Sequence, residues 1–329
     1  MPGSVTSVFG EPDDFQAALR EDGVLGLLIT GPGHFRARLT RITLHRLRLL
    51  AAEEHLTRIA FVAVPTDTVL VLLPIGGGSS PIWGGIGMRT GEIITLGPDQ
   101  RVHARTDGPC RWGSIRLPAG ELARYGRALR GAGFAVPHLV ARWRPPPAAR
   151  RELRNLHQAA IRAAEIRSGM LADGEAAHGL EQQLINALID CLSAGPLDED
   201  VSAHRHRDIL ARFEDLLEMQ PFLRVAEICA AVGVSDRMLR SCCEEQLGVS
   251  PSSYLRLRRI QQVHRALRSG KPNTASVAEV ARRYGIRDLG RFAANYRALY
   301  GELPSATLRR CADRGVTELT LGRPRVKFP

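Results

Sequence analysis

The chain has 329 residues, enough for two domains, and its 44% apolar content fits packed globular structure. No stretch approaches the roughly 18 uninterrupted apolar residues that a bilayer span requires, which argues against a helical membrane protein. The net charge of +11 favours phosphate backbones, anionic lipid surfaces or acidic partners without choosing among them.

The opening MPGSVTSVFGEPDD lacks the basic start and apolar stretch of a secretory or transit segment, so a cytoplasmic protein is expected. Cys110, Cys191, Cys229, Cys242, Cys243 and Cys311 form no CxxC pair and no repeated spacing, which argues against a zinc ribbon or a disulfide framework. No metal and no cofactor is expected.

From Val24 to Leu117 short apolar or alternating runs are broken by glycine and proline, among them HFRARLTRITL, TRIAFVAVP and TVLVLLPI. Phe35, Ala37 and Leu39 alternate with Arg36, Arg38 and Thr40, the period of a strand with one face inward. A β barrel or sandwich over residues 1–147 is predicted. Gly91 to His103 resembles the second half-motif of cupin barrels, but His34, His45 and His55 are too scattered to complete a metal set. His103 is therefore expected to pack or to sit at an edge. Arg36, Arg38, Arg41, Arg46 and Arg48 either favour an anionic effector or form a solvated face.

After Pro145-Pro146-Pro147 the pattern becomes helical, with segments from about Ala148 to Ile166 and Glu175 to Leu192. Leu180, Leu184, Leu188 and Leu192 form a stripe that serves either a core or a dimer interface. Residues 148–200 read as a helical linker and possible dimerisation region. The turn-rich, acidic stretch 194–200 leads into a third region, 201–311, and residues 312–329 read as a flexible tail. Between His204 and Cys311 there are 19 Lys and Arg against 11 Asp and Glu, a net +8 that concentrates most of the excess charge in a third of the chain.

Two segments in that region match at an offset of 52 residues: Val225 to Ser235 and Val277 to Arg287. Each reads as a short amphipathic helix ending in a glycine turn, at Gly233 and Gly285, with a small residue four places earlier, Cys229 or Ala281, to let a second helix pack closely. The second helices carry inward apolar positions at Leu239, Cys243 and Leu247, and at Phe292, Tyr296 and Leu299. Ser250 to Leu267 reads as a helix joining the copies. At ~1.5 Å per residue it spans roughly 25 Å, enough to present both reading helices to one side of a duplex.

The region from about His204 to Arg310 resembles the DNA-binding domain of the AraC/XylS family, through the G-V-S turn at Gly233, the S-P-x-x-Y-L that opens the spacer, and the run from Tyr284-Gly285-Ile286 to Pro304-Ser305. The resemblance implies an α+β protein: a cupin-like sensor barrel with an effector pocket inside it, a helical linker, and an all-α domain with two helix-turn-helix units. It implies binding of double-stranded promoter DNA, contact with RNA polymerase, and a homodimer. Carried over by position, the DNA-facing residues of the first copy are Ser235, Asp236, Arg237, Arg240 and Ser241, with Arg237 and Arg240 suited to paired hydrogen bonds with guanine. In the second copy the main reading positions hold Gly290 and Ala294, too short to reach far. Arg287, Arg291, Asn295 and Arg297 there suit phosphate contacts. Arg256, Arg258, Arg259 and Arg265 of the spacer either face DNA or pair with acidic residues. The competing readings are a cupin-type metalloenzyme fused to a DNA-binding module and a ligand-independent architectural DNA binder. No nucleophile, base and orienter stand out, so no enzyme is expected.

Overall fold

The strand periodicity resolves, in a computed structural model describing residues 2–166, 174–197, 201–269 and 276–310, into two antiparallel sheets flanked by helices. The tail 312–329 and the end of the linker stretch, 198–200, lie outside the described residues. In chain order the strands are β1 (Gly3–Phe9), β2 (Val24–Ile29), β3 (Ala37–Thr43), β4 (Arg48–Glu54), β5 (Arg58–Ala63), β6 (Thr68–Gly78), β7 (Ile82–Trp83), β8 (Ile86–Gly87), β9 (Ile93–Leu96), β10 (Arg101–Thr106), β11 (Cys110–Pro118) and β12 (Ala141–Trp143). The helices are α1 (Pro12–Leu19), α2 (Ala119–Arg130), α3 (Pro147–Ile166), α4 (Gly174–Leu192), α5 (Val201–Met219), α6 (Val225–Val232), α7 (Asp236–Leu247), α8 (Pro251–Ser269), α9 (Val277–Arg283) and α10 (Leu289–Tyr300), and residues 304–310 are also helical. The strand pattern in the sequence starts at Val24 and leaves no place for β1, α1 or α2.

The seven-stranded sheet runs β1-β3-β4-β11-β6-β9-β12 and the five-stranded sheet β2-β5-β10-β7-β8. Alternate side chains sort into layers. Leu50, Leu70, Leu72 and Ile94 meet Leu27, Ala60, Val62 and Val102 between the sheets. Leu49, Val69, Val71 and Leu73 point the other way, onto α3 and α4. On the outer face of the small sheet, Leu28 and Ile59 join Ile209, Leu210, Phe213 and Leu255 of the C-terminal helices. Both sheets are thus covered on both faces, which is why β5 and β6 read as nearly continuous apolar runs.

One open alternative narrows here and one expectation changes. Of the leucine stripe, Leu184, Leu188 and Leu192 are buried as core against the large sheet, with Leu180 partly buried beside them. Between the sheets, side chains including Phe15, Leu72 and Trp112 leave a cavity of about 30 Å³, room for about one water and not for an effector. Among the arginines set along β3 and β4, Arg41 and Arg48 pair with Asp22 at 2.6 and 3.0 Å, and Arg46 pairs with Glu121 at 3.0 Å.

α3 places His157 against β4, where Nε2 donates to the Leu50 carbonyl at 3.0 Å and Nδ1 has no partner. Burial pulls the pKa of this imidazole down to about 4, outweighing its backbone hydrogen bonds. Because the folded state holds it neutral, the unfolded chain takes up the proton first. Stability from this site is complete above about pH 6.5, falls as pH drops towards 4, and amounts to about 3 kcal/mol at most. Thermal melts between pH 7 and 4 are expected to be flatter for His157→Gln than for the native chain; parallel curves would refute this.

Candidate nucleic-acid interface

The two matching segments form two helix-turn-helix units. In the first, α6 ends at Gly233, whose φ of 75° closes the helix in the left-handed region that glycine favours. Ser235 then caps α7, its hydroxyl accepting from the Met238 amide at 3.2 Å. In the second, Ser276 and Glu279 make a reciprocal capping box at the start of α9, Gly285 turns the chain at φ 74°, and Asp288 caps α10 through the Arg291 amide at 2.9 Å. Leu239, Cys243 and Leu247 of α7 are buried under the first unit, as Phe292 and Tyr296 are under the second, with Leu299 partly buried beside them.

The opposite faces are open. Ser235, Asp236, Arg237, Arg240 and Ser241 are exposed around the start of α7, as are Arg287, Gly290, Arg291, Ala294 and Arg297 on and before α10; Asn295 is half-buried. Arg240 reaches back to Asp236 at 3.3 Å, an exposed pair four residues apart worth only about 0.3–0.5 kcal/mol and easily opened. Arg237, Arg287, Arg291 and Arg297 have no carboxylate partner among the described residues.

The spacer α8 is 19 residues long, about 28 Å at 1.5 Å per residue. Its arginines separate by face. Arg256 and Arg259, one turn apart, line a cleft of about 240 Å³ with Arg287, Asp288, Arg291 and Asn295, and the Nε of Arg259 is buried there without a partner. That cleft gathers four arginines from α8 and the second unit, and residue spacing alone did not reveal it. The other face of α8 turns to the N-terminal half. Arg258 pairs with Glu214, Arg265 with Asp13 at 2.7 Å, Arg268 with Asp14 at 3.1 Å, and Gln261 donates to the Leu27 carbonyl.

Glu214 on α5 is the centre of this contact. It accepts from His103 Nε2 of β10 at 2.9 Å, from the Tyr254 hydroxyl and from Arg258, all within a nearly dry junction. One residue along, Arg101 makes a two-pronged pair with Asp215 at 2.7 and 2.5 Å. His103 thus joins two halves of the molecule. Among the described residues no group of three or more His, Cys, Asp or Glu side chains is arranged to hold a metal.

Comparison with known proteins agrees with this geometry. A family model described as a helix-turn-helix domain matches residues 228–310. The chain is 28% identical over 249 residues to the XylDLEGF operon transcriptional activator of Pseudomonas putida, covering 70% of this chain and 72% of that protein. It is 37% identical over 87 residues, 26% of each chain, to a regulatory protein of the thc operon of Rhodococcus erythropolis. The solved structure of the AraC-like transcriptional activator CuxR covers 81% of this chain and 96% of its own, at 16% identity and a TM-score of 0.42. The two units in tandem thus coincide with a matched helix-turn-helix domain, and over about 70% of its length the chain is similar to operon transcriptional activators.

Proposed function

We propose that this protein docks α7 and α10 on promoter DNA through the residues carried over from the sequence, with the N-terminal half as a small-molecule sensor rather than an enzyme. One observation carries the reading: the unpaired arginines of both units stand on exposed faces while the apolar faces are consumed in packing. α7 supplies base contacts, with Arg237 and Arg240 offering paired donors to guanine. α10 has only Gly290 and Ala294 at its reading positions, so the second unit works through Arg256, Arg259, Arg287 and Arg291 as a phosphate seat. Phosphate contacts of this kind set position, not sequence.

Contact with RNA polymerase is part of this reading because the relatives are named as transcriptional activators. No described helix is long and apolar enough to cross a membrane, consistent with work at the nucleoid in the cytoplasm. A homodimer, where it forms, uses a surface other than the buried leucines of α4.

Selection of bound duplexes from a random pool, followed by anisotropy titration at fixed salt, tests the reading. An enriched motif is expected; equal affinity for all duplexes would favour an architectural binder. Arg240→Ala is expected to weaken the selected duplex by about 1–3 kcal/mol and to relax preference at one base pair. Unchanged affinity would remove Arg240 from the interface.

A further inference from the structure

A cleft of the N-terminal half lies outside the sheets, between the outer face of the large sheet and α3. It encloses about 340 Å³, within the range of small-ligand sites. Its floor is apolar, from Leu73, Met88, Ile93 and Leu153, all buried. Its walls carry four arginines, Arg89, Arg111, Arg150 and Arg154, and among the described residues no carboxylate lines it. We propose that this cleft binds a small phosphate-bearing organic anion, an inference that rests on reading the N-terminal half as a sensor.

The charge arrangement sets the chemistry. Arg111 is already answered by Glu53 at 2.7 Å, whereas the Arg89 and Arg154 guanidinium groups have no carboxylate partner among the described residues, only the Arg89 backbone amide donating to Glu92 at 3.3 Å. Arg150 donates to the Gly91 carbonyl at 3.0 Å, which holds its guanidinium in the cleft. A Cβ at Gly91 would run into that guanidinium, so the close approach depends on glycine there. Arg150 and Arg154 stand four residues apart on one helix face, a like-charge pair that repels until an anion comes between them. Three unneutralised guanidinia match a doubly charged phosphate better than a single carboxylate, and their planar forks suit bidentate contact with its oxygens. DNA is a poor occupant, because the first helix-turn-helix unit packs on the outer face of the other sheet.

The site is also connected to the DNA-binding half. Buried Glu92, next to Gly91, pairs with Arg144 at 2.9 Å, just before α3. In β12 the Arg142 carbonyl accepts from the Leu197 amide at 2.7 Å, on the stretch that leads towards α5. An anion that orders Arg89 and Arg150 therefore acts on the chain that enters the DNA-binding helices.

Calorimetric titration of the full chain with ADP, pyrophosphate and hexanoate tests the assignment. ADP is expected to bind, pyrophosphate to bind in competition with it, and hexanoate to give no heat. Arg154→Glu changes an exposed residue without a partner and leaves folding alone; it is expected to weaken ADP about tenfold or more. Arg151→Glu, an exposed neighbour outside the cleft, is expected to leave ADP affinity unchanged. Equal losses in the two variants, hexanoate binding as tightly as ADP, or no heat with ADP and pyrophosphate would each overturn the proposal. Duplex binding measured on the same samples separates the two readings: ADP uptake without any duplex affinity would keep the cleft and remove the regulator, and the reverse pattern would do the opposite.

Discussion

Glu214→Ala is expected to cost about 3–5 kcal/mol of folding stability, because it removes the carboxylate that the Arg258 guanidinium, the Tyr254 hydroxyl and His103 share in a buried junction. Burial by itself would push the Glu214 pKa up, but the hydrogen bond from His103 and the charge of Arg258 outweigh it and hold the carboxyl at about 2. A carboxylate with a depressed pKa contributes stability above its unfolded value near 4.5 and loses that contribution as pH falls towards 2. The native chain should therefore lose more stability over that window than Glu214→Ala, which starts lower, does. His103→Ala removes only the contact from the N-terminal half and is expected to cost less than Glu214→Ala. Differential scanning calorimetry of the three proteins checks this; a Glu214→Ala transition within about a degree of the native one would show that the cluster contributes little.

That cluster also shows how far the sequence could be read. The repeat at Val225 and Val277 was legible because a helix, a glycine turn and a second helix are local: Gly233 and Gly285 adopt the positive φ that their spacing implied, and Leu239 and Phe292 point inward. The strands from Val24 onward were legible for the same reason. β1 was not, because GSVTSVF is an edge strand with Val5 and Val8 exposed and no alternation of large apolar residues to reveal it. α1 has only eight residues, too few for a helical period to stand out.

Long-range pairing was invisible. Arg101, His103 and Arg105 alternate along β10 as an exposed face would, yet that face is covered by α5 and α7. Four spacer arginines looked equivalent in the sequence; helical geometry puts Arg258 and Arg265 two turns apart on one face and Arg256 and Arg259 on another. Only the fold shows that the first pair meets Glu214 and Asp13. The same contact links the two halves: Asp13 and Asp14 of the N-terminal half pair with Arg265 and Arg268 of α8, and His103 reaches Glu214, the partner of Arg258, so a shift of the N-terminal half would change how the rod between the two units is held.

The face of α8 left free leads to the last expected result. Replacing Arg287 and Arg291 together by alanine should weaken binding to every duplex by a similar factor, because the cleft they form with Arg256 and Arg259 has the composition of a phosphate seat and not of a base reader. Taking away one arginine-phosphate pairing flattens the slope of log affinity against log salt by about 0.9. With two such pairings removed, raising salt from about 50 to 200 mM, which lowers native affinity steeply, should lower the variant's by about 12-fold less. Arg240→Ala should behave in the opposite way, changing preference among duplexes while flattening the slope less. Anisotropy titrations on selected and scrambled duplexes across a series of salt concentrations distinguish the two. If the Arg287 and Arg291 variant kept the native slope, or bound the selected duplex alone more weakly, the second unit would read bases and the division of labour between α7 and α10 would be wrong.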